Sequence, residues 1–364
     1  MSSALFESHF GVPPEAVAIG HGRANLIGEH TDYNDGLVMP VLLRHHTAVA
    51  LSPRNDNIIN GVSDRFGAFD RPVDSPCDGS WLDFVSGALS IARRNGFAVG
   101  GEAARGINIA VSSNVPAGAG VSSSAAFEIA LLRALGALAP DMFDAISPAD
   151  LARMGQQIEH DFVGTACGIM DQMVAAIAPA GHAMLLDVRS METRCIPLFA
   201  GYDFLVIHSG ADRKLSEGAY NERLAQCQKA AREMGVASLR DADLSACAEL
   251  GDPLLQKRAR HVISENMRVQ KAAIALETGK ADQFGQLMDE CHASLDADFE
   301  VSSPVLNALV ANLKAAGAIG ARLTGAGFGG CVVALCPRDK SDQILAAIRS
   351  SNPNAWLVDR IAGL

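Results

Sequence analysis

The sequence predicts a mixed α/β or α+β protein of two domains, and three observations carry that expectation. The chain has 364 residues, long for one core when domains run to about 150 residues. Hydrophobic residues make up 49% and charged residues 20%, the balance of a packed globular chain rather than a disordered one. Strand-like and helix-like patterns alternate through both halves. Aromatics are only 5% while Ala, Val, Leu and Gly are plentiful, and small side chains let helices sit close on sheets.

Each element follows from its local pattern. Ala16–Gly20 is a short apolar run ending in Gly and reads as a buried strand. Leu37–Ser52 interleaves Val, Leu and Thr and reads as β structure, which Pro53 ends. Trp81, Phe84, Ala88, Leu89 and Ala92 fall at helical spacing and predict a helix over 81–95. A strand over 107–112 leads through a Gly/Ser turn into a long apolar helix over 123–138. Helices are expected at 150–159 and 168–178, the second stopped by Pro179. Residues 183–187 and 204–208 read as strands, 216–235 and 257–278 as helices. The last part alternates: helix 303–316, strand 321–324, a Gly turn, strand 331–335, helix 340–350. The weakest seam is the Pro/Gly stretch Cys195–Asp203, so the domains are expected to be 1–195 and 196–364.

Composition excludes several function classes. The formal charge is −11 and no Lys/Arg run supplies a basic face, so nucleic acid is not an expected partner. Such a chain still binds a nucleotide, because a phosphate site needs only local amides and one or two cations. Met1–Pro14 carries no basic segment followed by an apolar stretch, and no apolar run approaches the roughly 18 residues a membrane span requires. Eight scattered cysteines without a C-x-x-C pair read as reduced thiols, and a cytoplasmic location is expected. His45-His46 lies on a strand with its rings on opposite faces, so a shared metal is not expected.

Four clusters stand out. In Gly22-Arg23-Ala24-Asn25-Leu26-Ile27-Gly28-Glu29-His30-Thr31-Asp32-Tyr33, a cation, two carboxylates, an imidazole, an amide and hydroxyls crowd one short segment. Sugar hydroxyls need many directional partners to replace water, and Glu29, His30 and Asp32 can supply them; any one of them also suits a polar turn at a helix cap. In the second cluster, Gly118-Ala119-Gly120-Val121-Ser122-Ser123-Ser124 lies between a predicted strand and helix. Curled amides and a helix N-terminus make a phosphate cradle there, although no Gly-Lys-Ser/Thr follows and a Gly turn with a Ser cap has the same look. The third cluster runs from Glu159 to Gln172, with Asp171 in the first turn of a helix, as a site carboxylate or simply a favourable first-turn anion. In the fourth, Gly325, Gly327, Gly329 and Gly330 precede Cys331, more glycines than a hairpin needs, so either close approach to a ligand or an ordinary loop is expected.

Together these segments resemble the GHMP small-molecule kinases. The 22–33 cluster is similar to the galactokinase signature of that family without a mismatch, and the Ser-rich loop and the Thr324–Cys331 segment are similar to its second and third motifs. Flanking stretches such as Cys167–Gln172 extend the likeness over nearly the whole chain. The resemblance implies a two-lobed α+β GHMP kinase fold, with ATP and sugar bound in a cleft between lobes. It implies phosphoryl transfer from ATP to the anomeric hydroxyl of galactose, with Mg²⁺ as cofactor. Asp171 and Arg23 would flank the acceptor hydroxyl, and Glu29, His30, Thr31, Asp32, Gly168 and Tyr220 would hold the sugar. Gly118, Ala119, Gly120, Val121, Ser122, Ser123 and Ser124 would wrap the phosphates, Ser124 and Glu159 would bind magnesium, and Trp81 and Phe84 would lie near the adenine. A monomer with no membrane or nucleic-acid partner is expected.

The chain departs from the family in places. Gly218-Ala219-Tyr220 stands where relatives carry Ser-Glu-Tyr, Asp296 where Arg is usual, and Asn307 where Asp is common. These departures keep open an anomeric kinase acting on N-acetylgalactosamine or arabinose, and a sugar sensor without turnover. Arg23, Ser124 and Asp171 are all present, so nothing in the sequence disables catalysis.

Overall fold

A computed structural model describes residues 1–96, 106–165, 167–211 and 216–363, with side chains at 216 and 217 left aside. Ala166, within the third sequence cluster, lies outside the described residues. The first part of the chain comprises α1 (Ser2–Phe10), β1 (Ala16–Asn25), β2 (Leu37–Val38), β3 (Pro40–Arg54), β4 (Ile58–Ser63) and β5 (Gly67–Pro72). Then come α2 (Leu82–Arg94), β6 (Gly106–Ser113), α3 (Ser123–Ala137), α4 (Pro140–Phe143), α5 (Pro148–Ile158) and α6 (Met170–Ile177). Strands β7 (His182–Asp187), β8 (Thr193–Pro197) and β9 (Tyr202–His208) precede α7 (Ser216–Glu233), α8 (Pro253–Glu277), α9 (Ala281–Ala297) and α10 (Pro304–Ala315). The chain closes with β10 (Gly320–Thr324), β11 (Cys331–Pro337), α11 (Ser341–Ser351) and β12 (Trp356–Ala362).

These elements form two compact units. Unit 1 comprises Met1–Gly22, Arg44–Pro116 and Ser122–Ile177; unit 2 comprises Arg23–Leu43, Ala117–Val121 and Ala178–Leu364. Neither matches the halves expected from the sequence, and the boundary foreseen near residue 195 falls inside β8. The reason is that β7 pairs with both β2 and β8, while Arg194 of β8 forms an ion pair with Glu277 at the end of α8. The Pro/Gly stretch is the end of a strand and a turn, not a linker.

In unit 1, β3 pairs antiparallel with β6, β6 parallel with β4, and β4 antiparallel with β5. The strand period of two then sorts the core. Val49, Leu51, Ile107 and Ile109 face α2, α3 and α5, packing with Leu89, Leu132 and Ile158. Ala50 and Ala110 point the other way, where their small size admits Phe6 of α1. Each fully buried Leu or Ile contributes about 1.5–3 kcal/mol. Helix α3 reaches the sheet because Gly20 of β1 has no side chain: a Cβ there would lie 2.1 Å from the Ala126 carbonyl oxygen. That approach fixes the first turn of α3, where the Ser-rich loop ends.

Unit 2 carries an antiparallel sheet in the order β10-β11-β9-β12, with Val332, Val333, Val206 and Leu205 wholly buried. Its long helix α8 starts at a designed stop: the Asp252 side chain accepts from Leu254 N, and Pro253 takes the first helical position. Ser303-Pro304 starts α10 in the same way. Among the described residues no helix is long and apolar enough to cross a membrane.

Candidate active site

In unit 2, β1 ends at Arg23–Asn25 and a tight polar turn follows. Arg23 is buried, its Nη1 donating to the Gly120 carbonyl at 2.7 Å and its backbone N–H to the Val121 carbonyl at 3.0 Å. Gly28 takes φ +97°, a conformation open to glycine, and its N–H donates to Glu265 Oε1 at 2.7 Å. The buried Glu29 carboxylate accepts from Asn25 Nδ2 (3.0 Å) and from Gly325 N (2.6 Å), and pairs with Arg322 at 3.1 Å. His30 is also left-handed, at φ +62°. Its Nδ1 meets the Tyr33 hydroxyl at 2.8 Å, while its buried Nε2 has no hydrogen-bond partner among the described residues. Burial, opposed in part by the Glu29 charge, pulls the imidazole down to about 3, so it is neutral near pH 7. The His30 and Tyr33 rings pack with Tyr220 of α7, which brings that residue beside the segment. Asp32 opens a short 3₁₀ turn and is half-buried.

Thr31 differs from its expected role as a sugar contact. It is wholly buried, and its hydroxyl lies 2.9 Å from the Gly28 carbonyl and 2.7 Å from that of Leu37. A hydroxyl has one proton to give, and both acceptors lie within the protein. Thr31 shapes the turn.

The loop from Gly118 to Ser124 begins in unit 2 and ends in unit 1. Gly118 and Gly120 have φ +72° and +76°, and Ser122 is left-handed at +60°. Ala119 and Val121 are buried, so they offer a ligand only their backbone. Within unit 1, Ser122 does not cap α3 with its side chain; its hydroxyl donates instead to Asp171 Oδ2 at 2.5 Å. Ser123 and Ser124 are half-buried at the start of α3, where free N–H groups favour anions. Asp171 sits in the first turn of α6, with half-buried Gly168 just before that helix.

Glu159 is buried and opens a π-helical turn, Glu159–Val163, at the end of α5. Such wide turns often mark functional positions. Glu128 of α3 is its neighbour: burial first, then the Glu159 charge, pushes the Glu128 carboxyl well above the usual range, and Gln172 Nε2 donates to it at 3.0 Å. A second carboxylate beside that buried carboxyl suits a cation. Trp81 and Phe84 flank Phe127, with ring centroids at 6.2 and 5.8 Å. The indole lies over Gly61, where a Cβ would come within 2.7 Å, and its buried Nε1 has no partner among the described residues.

Some important residues escaped the sequence reading. Glu265, His261 and Asn266 of α8 back the polar turn from behind: His261 Nε2 meets the Glu29 carbonyl at 3.1 Å, and Asn266 Oδ1 accepts from Leu37 N at 2.8 Å. Helical spacing of polar residues inside 257–278 was their signal, but nothing in it names the partner. Two family departures also meet in space, since Asn307 Nδ2 donates to Asp296 Oδ1 at 3.0 Å. The glycine surplus at 325–330 is conformational: all four have positive φ, and a Cβ on Gly327 would lie 2.3 Å from the Val301 carbonyl.

Comparison with known proteins agrees with this geometry. The family description "GHMP kinases N terminal domain" matches residues 83–178, and "GHMP kinases C terminal" matches 272–354. The chain belongs to the GHMP kinases, which makes it an ATP-dependent small-molecule kinase. The "Galactokinase galactose-binding signature" matches residues 4–53, which hold the Arg23–Tyr33 turn. The crystal structure of Lactococcus lactis galactokinase complexed with galactose is 29% identical and superposes with a TM-score of 0.89, over 99% of this chain and 97% of that one. Within the family the chain is a galactokinase. Methanococcus jannaschii mevalonate kinase (17% identity, TM-score 0.70, 96% and 98% coverage) and Streptococcus pneumoniae phosphomevalonate kinase with phosphomevalonate and AMPPNP (15%, 0.68, 94% and 98%) share the fold.

Proposed function

We propose that the protein transfers the γ-phosphoryl group of ATP to the anomeric hydroxyl of galactose, giving galactose 1-phosphate and ADP. One observation carries the reading. Within unit 2 Arg23 holds the carbonyls of Gly120 and Val121, and within unit 1 Asp171 holds the hydroxyl of Ser122, so each residue assigned to the acceptor hydroxyl is tied to its own unit's part of the phosphate loop.

Phosphoryl transfer has a loose transition state and depends mainly on alignment and charge neutralisation. Asp171 orients the sugar hydroxyl and takes its proton late, because a carboxylate is a weak base for an alcohol. Arg23 neutralises charge on the transferred group. The loop amides from Gly118 to Ser124, with the start of α3, hold the phosphates. Glu29, His30, Asp32 and Tyr220 bind the sugar, with Gly168 leaving room for it; the unpartnered His30 Nε2 is a ready partner for a hydroxyl. Trp81 and Phe84 line the adenine site, and the unpartnered indole Nε1 supplies a donor there. Mg²⁺, when bound, neutralises phosphate charge. Ser124 and Glu159 would hold it, and the Glu159 charge that helps to raise the buried Glu128 carboxyl fits a cation beside them. A magnesium ion bound by one carboxylate, a hydroxyl and phosphates needs no cage of three side chains, and among the described residues there is none.

The test is ADP release by purified protein with ATP and Mg²⁺ across galactose, N-acetylgalactosamine, arabinose, glucose, mevalonate and homoserine. Galactose should lead the series. A different leading sugar shifts the substrate assignment, and binding of galactose without ADP release replaces the kinase with a sensor.

A further inference from the structure

A second layer of buried charge lies behind the 23–33 turn, within unit 2, and the proposed chemistry does not use it. Arg322 of β10 is fully buried. Its Nη1 donates to the Asn25 carbonyl at 2.9 Å and its Nη2 lies 3.1 Å from Glu29 Oε1. That oxygen also accepts from Gly325 N at 2.6 Å, while Oε2 takes Asn25 Nδ2 at 3.0 Å. A carboxylate oxygen accepts about two hydrogen bonds. Glu29 Oε1 therefore faces the Gly325 N–H and, as an ion pair, the Arg322 guanidinium, while among the described residues Oε2 takes the single donor Asn25 Nδ2 and keeps an acceptor position.

Glu265 of α8 repeats the pattern one step further back. Its Oε1 accepts from Gly28 N at 2.7 Å and from the Cys291 thiol at 2.8 Å, and its Oε2 from Arg268 Nε at 2.6 Å. Two carboxylates and two guanidiniums balance, so the cluster is buried without net charge. Each partner also fixes a backbone group of the turn, Glu265 the Gly28 N–H and Arg322 the Asn25 carbonyl.

We propose that Arg322 and Glu265 are positioning residues for galactose: Arg322 sets the Glu29 carboxylate so that its open acceptor on Oε2 meets a sugar hydroxyl, and Glu265 fixes the peptide of Gly28 from which Glu29 projects. The proposal rests on the reading of Glu29 as a galactose contact. A positioning role separates the two substrates. Among the described residues the hydrogen bonds and ion pairs of Arg322, Glu265 and Arg268 go to residues other than those of the phosphate loop, so the sugar constant moves and the nucleotide constant does not.

The experiment compares Arg322→Lys, Glu265→Gln and Glu29→Gln by steady-state ADP release with each substrate varied, and by the rise in Tm that galactose causes. Lysine keeps the charge but reaches only one of the two oxygens that Arg322 bridges. Arg322→Lys and Glu265→Gln are expected to raise the galactose KM by about tenfold and leave the ATP KM within about twofold. Their galactose-induced Tm rise should shrink accordingly. If Arg322→Lys lacks a cooperative melt, Glu265→Gln carries the test, since glutamine keeps the volume of the side chain but has one acceptor oxygen where Gly28 N, the Cys291 thiol and Arg268 Nε now share two. Equal increases in both constants, or none in either, overturn the proposal. If Glu29→Gln raises the galactose KM while the other two variants leave it unchanged, positioning fails and the Glu29 assignment survives. If Glu29→Gln also leaves it unchanged, the Glu29 assignment fails first.

Discussion

Acidification should unfold this protein through two histidines beside the sugar-binding turn. Burial pulls His30 from 6.5 down to about 3, with Glu29 opposing and His261 adding to the shift. Burial likewise pulls His261 down to about 4, against the nearby Glu265 charge. Both imidazoles stay neutral in the folded state while the unfolded chain protonates them near pH 6.5. The unfolded state then binds more protons, so stability is fully present above pH 6.5 and falls with pH, through about 4 for His261 and about 3 for His30. Between pH 7.5 and 5 each histidine passes about 1.5 pH units below its unfolded pKa, worth roughly 2 kcal/mol, so the pair removes roughly 4 kcal/mol. That is a large share of the 5–15 kcal/mol typical of folded domains. His292, also held low by burial, works in the same direction. Glu265 does not confuse the window. Although burial alone would raise it, Arg268, His261 and Arg322 bring it to about 2, so its contribution is lost only below about pH 4.5. Urea melts at pH 7.5, 6.5, 5.5 and 5.0 measure the effect. His30→Gln, which does not titrate, should remove about half of the loss whatever it costs at pH 7.5. Glu128, whose carboxyl burial holds well above the usual range, takes up a proton in the folded state and offsets part of the total loss, so the decisive comparison is between variant and parent: a His30→Gln slope equal to the parent's refutes the reasoning.

Three further outcomes follow from named contacts. Asp171→Asn should cut galactose-dependent ADP release by about 10²–10⁴-fold with little change in ATP affinity measured by titration; near-normal turnover removes Asp171 from the mechanism. Gly20→Ala drives a Cβ to 2.1 Å from the Ala126 carbonyl and displaces the first turn of α3; urea melts should show about 1–3 kcal/mol of destabilisation, and an unchanged midpoint would mean that α3 yields freely. Asp252→Ala removes the cap on Leu254 N at the start of α8 and should cost about 1 kcal/mol by the same assay, with kcat unchanged.

Much of the fold was legible because its elements are ordinary in pattern. The helix at Leu82–Arg94, the strand at Gly106–Ser113 and the helix at Ser123–Ala137 lie within a residue or so of expectation. What was missed has physical causes. Helix α9 (Ala281–Ala297) carries Gly285, Cys291 and Ser294 among its buried residues, so its apolar stripe is broken, and Gly285 is there because β10 lies against it: a Cβ on Gly320 would come 2.3 Å from the Gly285 carbonyl. The β4–β5 hairpin buries little along β5, where only Arg71 is shielded, and that arginine is paired with the buried Asp83 at 2.7 Å. A strand whose one inward residue is charged has no period-two signature. The units were misjudged for a different reason. The chain passes between them several times, last at Ile177/Ala178, whereas the Pro/Gly stretch Cys195–Asp203 lies wholly within unit 2, so composition marked a turn rather than a crossing.

The polar turn shows most directly what a sequence holds and what it withholds. Arg23, Asn25, Glu29, His30, Thr31 and Asn34 are all buried, an arrangement that is costly unless each group finds a partner. Most do, and the partners come from afar: Thr324 Oγ1 receives Asn25 N, Gly325 N serves Glu29, and the Gly120 carbonyl serves Arg23. The residue types alone announce a site, because such a density of directional groups on twelve residues is poor material for a core. Which of them face a ligand is decided by what the fold leaves unsatisfied. Among the described residues the unpaired buried atoms in this turn are His30 Nε2 and Asn25 Oδ1, beside the acceptor position left on Glu29 Oε2. Thr31, equally polar in the sequence, is spent inside the turn. The distinction between a residue that builds the site and one that reads the sugar lies in that pairing, which depends on β10, 299 residues away in the chain, and on α8, 237 residues away.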